Sequence, residues 1–309
     1  MIPFPEVQRA KHNQFSIRFA ENLKYMKVIS TVSEIQKSIG KKHLSPVGFV
    51  PTMGALHTGH VSLVKKATIE APIVVVSIYV NPTQFNDKED LNNYPRTLKD
   101  DLNLLKDFMR KDDIVFTPDD KGIYPEEDIR KFHFGNLDNV MEAFYRPGHF
   151  NGVAKVVSRL FDIVRPDIAF FGQKDFQQLA VIKELVRQTG DKVRIVGCPI
   201  IRENDGLAMS SRNRLLEPEI RKNAGIIFST ISAASDMLRT NEIAPIKKYV
   251  NETIESVKGF KLEYFEIADE VELIPVTDKA GIKKGKRYYG CIAVKAGKIR
   301  LIDNIEIQL

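Results

Sequence analysis

The sequence has little cysteine and no long hydrophobic run, and these two shortages exclude several classes of protein. Cys198 and Cys291 are the two cysteines among 309 residues, too few and too far apart for a disulfide framework or a zinc ribbon. The most apolar stretch, residues 73–80, has the length of a strand and not of a membrane span. We therefore expect a protein of a reducing compartment, the cytoplasm, that does not bind a membrane.

The chain also lacks internal repeats, low-complexity segments and a secretory signal. Its first 25 residues contain basic side chains but no continuous apolar core. Met26 stands directly before the apolar pair Val28 and Ile29 and could serve as a start. We therefore interpret residues 1–25 as an N-terminal extension.

A modest excess of positive charge suits an anionic partner without identifying it. The 46 Lys and Arg against 40 Asp and Glu give a net charge of +6. Such an excess suits a nucleotide, RNA or a membrane surface, but a solvated surface with slightly more lysine than glutamate is the simpler interpretation. Composition alone leaves both interpretations open.

Apolar runs and helical periods alternate from Thr31 to Gly197. Thr31 and Glu34 have the spacing of a capping box, and Gly40 is a suitable helix stop. Strands are predicted at 47–50, 73–80, 114–116, 168–171 and 193–196. Strands separated by helices of this length predict βαβ units and an open parallel sheet of the α/β class.

The pattern changes after Asn213. Helical periods at 220–238 and 246–257 precede apolar runs at 262–267, 289–294 and 299–302. Helices followed by consecutive strands predict a smaller C-terminal α+β domain. The expected organisation is an extension at 1–25, a nucleotide-binding catalytic domain at 26–213 and the second domain at 214–309.

Residues 51–60, PTMGALHTGH, leave the end of a predicted strand and enter a helix. Gly54 and Gly59 allow close backbone approach, and His57 and His60 supply imidazole donors, which favours a phosphate site at a helix N-terminus. Three other interpretations are weaker. Zinc binding lacks a third ligand at matching spacing, and the segment could hold surface histidines or be only a tight turn.

Two more polar loops follow the same pattern. Lys174, within residues 172–175, offers a cation to a phosphate, although a solvated lysine beside an N-capping Asp175 is the simpler interpretation of that loop alone. Residues 209–212 offer two hydroxyls and the Arg212 guanidinium, or serve only as a linker. Because loops after parallel strands meet at one sheet edge, we expect these segments to converge on one anion.

Amide and acidic side chains suggest further contacts. Gln84 follows the most apolar strand and Gln178 follows Lys174, and each amide suits a ligand that carries hydroxyl and carboxylate groups. Gln84 could equally be a turn residue and Gln178 a half-buried helix amide. Asp100 and Asp101 could contact Mg²⁺, but two acids on an early helical turn more often favour the helix dipole.

Taken in order, the motifs PTMGALHTGH, VNPTQF, YPRT, RPGHF, FGQKDFQQLA, DGLAMSSRN and RLIDN resemble the pantoate–β-alanine ligase (pantothenate synthetase) family. The resemblance runs from about Met26 to Leu309. It implies a Rossmann-like sheet with a HIGH-type nucleotide site at His57-Thr58-Gly59-His60. It also implies ATP-dependent condensation of (R)-pantoate with β-alanine to pantothenate, AMP and diphosphate through a pantoyl adenylate, with Mg²⁺, in a homodimer that binds no nucleic acid.

The resemblance also assigns residues, with His60 as proton donor, His57 and Lys174 as further catalytic residues, and no protein ligand to a metal. The implied ATP-binding residues are Met53, Gly54, Ala55, Leu56, His57, Thr58, Gly59, His60, Gly172, Gln173, Lys174, Asp175, Ile201, Met209, Ser210, Ser211 and Arg212. Gln84 would contact both pantoate and β-alanine, and Gln178 pantoate. The family's glutamate at the position of Gln173 is often another residue, and Gln173 removes its charge but leaves Lys174 in place. The lysines of the synthetase KMSKS motif are absent from 208–212, which weighs against tRNA charging and leaves Lys174 and Arg212 as the cations.

Two other functions stay open at this point. A related nucleotidyltransferase would keep the adenylate as its product, and the discriminating observation is whether AMP is released only when an amine is supplied. A nucleotide- or RNA-binding module without catalysis would show strongly salt-dependent RNA binding and no ATP turnover. The absence of an RNA motif and the three polar loops weigh against the second.

Overall fold

The computed structural model describes residues 26–40, 46–86 and 88–308, and two sheets organise them. The parallel sheet comprises β1 (Lys27–Ile29), β2 (Val47–Thr52), β3 (Ile73–Ile78), β4 (Ile114–Phe116), β5 (Ile168–Gly172) and β6 (Arg194–Cys198). The antiparallel sheet comprises β7 (Phe260–Asp269), β8 (Tyr288–Ala296) and β9 (Ile299–Glu306). The predicted extension at 1–25 lies outside the described residues.

Helices connect the parallel strands and precede the antiparallel sheet. They are α1 (Val32–Gly40), α2 (Thr58–Glu70), α3 (Lys88–Asn93), α4 (Leu98–Leu105), α5 (Asp120–Ile123), α6 (Met141–Tyr145), α7 (His149–Val164), α8 (Phe176–Thr189), α9 (Pro218–Asn223), α10 (Ile226–Met237) and α11 (Ile243–Glu255). Of the predicted capping box of α1, the N-cap bond is confirmed, since Thr31 Oγ1 accepts from the Glu34 N–H over 3.4 Å, while the Glu34 carboxylate accepts from the Thr31 hydroxyl over 2.8 Å. Within the described ranges, no helix is long and apolar enough to cross a membrane.

The predicted parallel sheet and C-terminal α+β fold are confirmed, with two local differences, and the structure shows that the C-terminal strands pair antiparallel. The three-residue β1 was not predicted, because it is fixed by pairing with β4, where Lys27 faces Ile114. The residues of the helical period predicted at 220–238 form two helices, α9 and α10. They separate at Gly225, where a Cβ would lie 2.5 Å from the carbonyl oxygen of Asp205. The domain boundary at residues 213 and 214 stays a prediction.

The order of the parallel strands, β1-β4-β3-β2-β5-β6, creates a switch point at the centre of the sheet. From β2 the chain winds outward through β3 and β4, and from β5 it winds the other way to β6. Loops that leave the adjacent ends of β2 and β5 therefore diverge around a crevice. Ligands of open α/β sheets bind in this crevice, which places the loops at 53–57 and 173–175 at the expected position.

Apolar residues cover both faces of this sheet and join it to the C-terminal domain. Phe49 faces the cluster built by α7 and α8, and its neighbour Val50 faces the cluster built by α2 and α4. The first cluster continues into Ala268, Tyr289 and Cys291 of the antiparallel sheet. Burial of these apolar side chains stabilises the contact between the two sheets, so loops from both domains can contribute to one site.

Candidate active site

A cavity of about 220 Å³ opens at the carboxyl edge of the parallel sheet. It joins residues from all three polar loops predicted from the sequence. The predicted site residues that line it are Met53, His57, Gly59, His60, Gln84, Gly172, Lys174, Asp175, Gln178, Ile201, Met209, Ser210, Ser211 and Arg212. Gly54, Ala55, Leu56, Thr58 and Gln173 are not among the lining residues, so any part they play in the site is to shape its loops.

The carboxylate of Asp101 binds the backbone of the turn after β2. Sequence reasoning did not predict this role. Gly54 and Ala55 have φ values of 80° and 50°, and the N–H groups of Ala55 and Leu56 donate to the Asp101 carboxylate over 3.0 and 2.7 Å. Burial raises the pKa of Asp101 in spite of these bonds. Both of its oxygens are therefore bound to the turn, which argues against the Mg²⁺ interpretation of Asp100 and Asp101.

The two histidines are fixed as hydrogen-bond donors by their own helix end. His57 Nδ1 accepts from the Gly59 N–H over 3.1 Å, and His60 Nδ1 accepts from the His57 N–H over 3.3 Å. A neutral imidazole that accepts at Nδ1 carries its proton on Nε2. A Cβ on Gly59 would lie 2.8 Å from the His57 ring. The glycine thus permits the reciprocal cap that orients both rings, whose centroids are 4.1 Å apart.

The environment keeps both imidazoles uncharged. Burial, followed by the positive charges of Lys174 and Arg214, lowers the pKa of His57 to about 4. Burial and the neighbouring His57 ring lower the pKa of His60 to about 3. At neutral pH the pair therefore presents two N–H donors and no positive charge. The cations at this edge of the cavity are lysine and arginine side chains.

The loop after β5 brings Lys174 to the same cavity. The Gln173 N–H donates to the Cys198 carbonyl over 2.8 Å, and Lys174 Nζ lies 3.7 Å from Asp175 Oδ1. Asp175 occupies the N-cap position of α8 but makes no side-chain capping bond, so the interpretation of Asp175 as a capping side chain is wrong. Its position in the cleft opposes ionisation, but Lys174 and Arg212 outweigh this and lower the pKa of Asp175.

The loop at 209–212 ties the first two segments together. Ser211 Oγ donates to the Ala55 carbonyl over 3.0 Å, and Thr58 Oγ1 contacts Met209 Sδ at 2.6 Å. Because Ser211 directs its proton to Ala55, it is a poorer donor to an anion than the sequence suggested. Ser210 Oγ accepts from the Arg212 N–H over 3.3 Å, which leaves its own proton for a ligand. The segment is thus more than a linker.

Amide side chains form the opposite wall. Gln84 is buried, with Nε2 2.7 Å from Met53 Sδ and Oε1 3.3 Å from Asn81 Nδ2. Asn81, only 1% exposed, also donates to the Gly152 carbonyl and lines the cavity. Sequence reasoning singled out Gln84 and missed Asn81, although its place directly after the most apolar strand was a usable signal. Gln178 lines the cavity from α8.

The described residues favour neither a metal-binding site nor a catalytic thiol. The described residues contain no group of three or more His, Cys, Asp and Glu side chains able to hold a metal ion, so the zinc interpretation of His57 and His60 is not supported. Cys198 and Cys291 are free and buried. Burial raises the pKa of Cys198 to about 11 and that of Cys291 further, so neither thiol is an activated nucleophile.

Comparison with known proteins places this chain in a family. The family model described as pantoate–β-alanine ligase matches residues 26–306. The chain belongs to the pantoate–β-alanine ligase family. The pantothenate synthetase of Bacteroides thetaiotaomicron is 49% identical to it over 289 residues, which cover 92% of this chain and 99% of that protein. Members of this family are ligases, and the chain is a ligase.

Solved structures of the family have the same fold. The pantothenate synthetase of Thermus thermophilus has a TM-score of 0.84 and 41% identity, covering 92% of this chain and all of that one. The pantoate–β-alanine ligase of Francisella tularensis, solved in complex with β-γ ATP and β-alanine, has a TM-score of 0.72 and 34% identity and covers 91% and 97% of the two chains. The family resemblance inferred from the motifs is therefore confirmed, as is the Rossmann-like sheet.

Proposed function

We propose that this ligase condenses (R)-pantoate with β-alanine at the expense of ATP, through a pantoyl adenylate. One observation carries the proposal: two neutral imidazole N–H donors and the Lys174 ammonium line one cavity at the switch point of the sheet. Phosphoryl chemistry needs positioned donors and cations more than it needs covalent catalysis. The ATP and β-alanine complex of the Francisella relative supports the same substrates.

In the first step an oxygen of the pantoate carboxylate attacks the α-phosphorus of ATP, and diphosphate leaves with the electrons of the broken P–O bond. Negative charge grows on the phosphate oxygens as this bond breaks. His57 and His60 would donate to these oxygens from Nε2, and Lys174, Ser210 and Arg212 would bind the departing charge. His60 would then be a hydrogen-bond donor and not a full proton donor, because its low pKa keeps it neutral.

In the second step the β-alanine amine attacks the acyl carbon of the mixed anhydride and AMP leaves. Gln84 and Gln178 would hold the hydroxyl and carboxylate groups of pantoate, since an amide both donates and accepts. Apolar side chains from α7 and β5 line the same cavity: Val153, Val156, Val157, Leu160 and Phe171. They would contact the methyl groups of pantoate. No enzyme nucleophile is required, in agreement with the two inert thiols.

Magnesium fits this site through the nucleotide. Mg²⁺ commonly keeps several waters and binds substrate phosphates with one or two carboxylates. Asp175 is the acidic side chain among the described residues that line the cavity, so Mg²⁺ would be held mainly by the triphosphate. When bound it would neutralise phosphate charge. The homodimer, the cytoplasmic location and the absence of nucleic-acid binding stay predictions.

Isotope exchange between diphosphate and ATP tests the adenylate directly. With pantoate present and β-alanine absent, we expect labelled diphosphate to enter ATP, because adenylation is reversible. AMP should accumulate only after β-alanine is added. An enzyme that makes pantothenate without showing exchange would contradict a discrete adenylate. An adenylate that accumulates as the product, with no AMP released when β-alanine is added, would instead favour the related nucleotidyltransferase.

A further inference from the structure

Asn304, on the last strand of the C-terminal domain, reaches into the loop that carries Lys174. Its Nδ2 donates to the carbonyl oxygens of Gln173 over 2.9 Å and of Lys174 over 3.1 Å. The side chain is 4% exposed, so water competes little with these bonds. The amide thus donates to the carbonyl oxygens of the two peptides that flank the α-carbon of Lys174. Asn304 belongs to the motif RLIDN, to which the proposed mechanism gives no role.

An ion pair between the partly exposed Arg202 and the buried Asp303 holds Asn304 in place. Arg202 Nη1 and Nη2 donate to the Asp303 carboxylate over 2.6 and 3.0 Å, and Nη2 also donates to the Asn304 carbonyl over 3.2 Å. The Asn304 N–H in turn donates to Asp303 Oδ1 over 2.7 Å. Arg202 directly follows Ile201, which lines the cavity. A bidentate arginine–carboxylate contact fixes the relative direction of two groups as well as their distance. This contact therefore holds β9 against the segment that contributes Ile201 to the cavity.

We infer that Asn304 is a positioning residue, which holds the Lys174 loop in the conformation that binds the phosphates of ATP. The inference rests on the proposed function, since it requires Lys174 to act on ATP. Without the two bonds the loop keeps its link from Gln173 to Cys198. The peptide between Gln173 and Lys174 would then be free to rotate, and the ammonium would spend less time at the phosphates. Within the described part of the chain, the Asn304 amide donates to no part of the ATP-binding loops other than these two carbonyls.

The control is Asn136, an exposed residue that makes one amide-to-carbonyl bond to the C-terminal domain. Its Nδ2 donates to the Glu272 carbonyl over 2.8 Å, and it does not line the cavity. Asn136→Ala therefore removes an amide-to-carbonyl bond between the two domains and leaves the Lys174 loop untouched. Any effect specific to Asn304 is measured against this variant.

The experiment measures ATP affinity by calorimetry, and KM and kcat in diphosphate exchange, for Asn304→Ala and Asn136→Ala. We expect Asn304→Ala to weaken ATP binding roughly five- to thirtyfold, because two buried bonds are lost, and to raise KM for ATP more than KM for pantoate. Asn136→Ala should change ATP affinity by less than about twofold. A general loss of folding would instead lower kcat through the active fraction and leave KM unchanged, and that result would overturn the inference.

A second comparison asks whether Asn304 acts through Lys174. In a Lys174→Ala background, Asn304→Ala should change ATP affinity by less than about twofold, since the ammonium it positions is gone. Effects that simply add would overturn the inference. If Asn304→Ala does not fold, Asn304→Asp keeps the side-chain volume and replaces the donors by oxygens that repel both carbonyls. If Lys174→Ala itself retains normal exchange and ATP affinity, the proposed site is wrong, whatever Asn304 does.

Discussion

The two βα junctions that bring polar groups to the cavity are supported in different ways. The junction after β2 is held within its own domain, where Asp101 accepts from the Ala55 and Leu56 amides and the histidines cap the helix that they begin. The junction after β5 has one bond within its own domain, from the Gln173 N–H to the Cys198 carbonyl, and two from the other domain, through Asn304. The imidazole donors are therefore formed by the first domain alone, whereas the position of the ammonium depends on how the C-terminal sheet is docked.

The largest effect should come from removing one charge-stabilising group at either junction. His60→Ala and Lys174→Ala should each lower the rate of adenylation by roughly 10²–10³, about 3–4 kcal/mol of transition-state stabilisation. The measurement is the initial rate of diphosphate exchange, with unfolding by urea as a check that each variant folds. His133→Ala and Lys258→Ala, at exposed positions, are the controls. Near-normal rates in both site variants would refute the assignment of the site to these two junctions.

Substitution of Asp101 would remove the hydrogen bonds that support the junction after β2. Asp101→Ala leaves the Ala55 and Leu56 amides without their acceptor, and we expect the free energy of unfolding to fall by about 2–3 kcal/mol, since each bond involves a buried carboxylate. The adjacent Asp100 is exposed, so Asp100→Ala is a matched control that should cost less than about 0.5 kcal/mol. Urea unfolding followed by circular dichroism measures both. Equal losses would mean that the turn does not depend on this carboxylate.

The sequence predicted the convergence of the three loops because one rule covers them all. Residues 53–60, 172–175 and 209–212 each follow a strand of one parallel sheet, and the carboxyl ends of such strands lie at one edge. The supporting contacts could not be predicted in the same way. Asn304 lies 130 residues from Lys174 in sequence, and only the packing of the antiparallel sheet brings the two together.

The ring nitrogen that carries the proton in each histidine could not be predicted from the sequence either. Its spacing indicated donors for a phosphate, but the tautomer depends on which ring nitrogen meets a main-chain N–H, here Nδ1 of both His57 and His60. The same holds for the use of the serine hydroxyls. Ser211 was predicted to face an anion, and its proton is bound by the Ala55 carbonyl. In each case the side chain makes a hydrogen bond to a main-chain group that is close in the fold. That bond determines which donor of the side chain remains available to a ligand.

The neutral histidines give the first junction a pH dependence. His57 and His60 have pKa values of about 4 and 3 in the folded chain, against an ordinary value of 6.5 for an exposed imidazole. Between pH 6.5 and 5 the unfolded chain therefore binds protons that the folded chain does not, and stability falls as the pH falls. The expected slope is about 1 kcal/mol per pH unit for each histidine. Urea titrations across this range should show a shallower slope in the double variant His57→Gln, His60→Gln, and an unchanged slope would mean that both rings are protonated in the folded chain.

The smallest expected effect concerns a contact that ATP would have to replace. Arg212 Nη2 lies 3.0 Å from Asp90 Oδ2 of α3, and both side chains are partly exposed. Such a pair is worth about 0.5 kcal/mol, so Asp90→Asn should free the guanidinium and lower KM for ATP by roughly twofold without changing kcat. Asp236→Asn, which removes an equal charge from an exposed pair with Arg239, should leave KM unchanged. A rise in KM on Asp90→Asn would show that Asp90 positions Arg212 for the nucleotide, and that the third loop too is held by a partner from outside it.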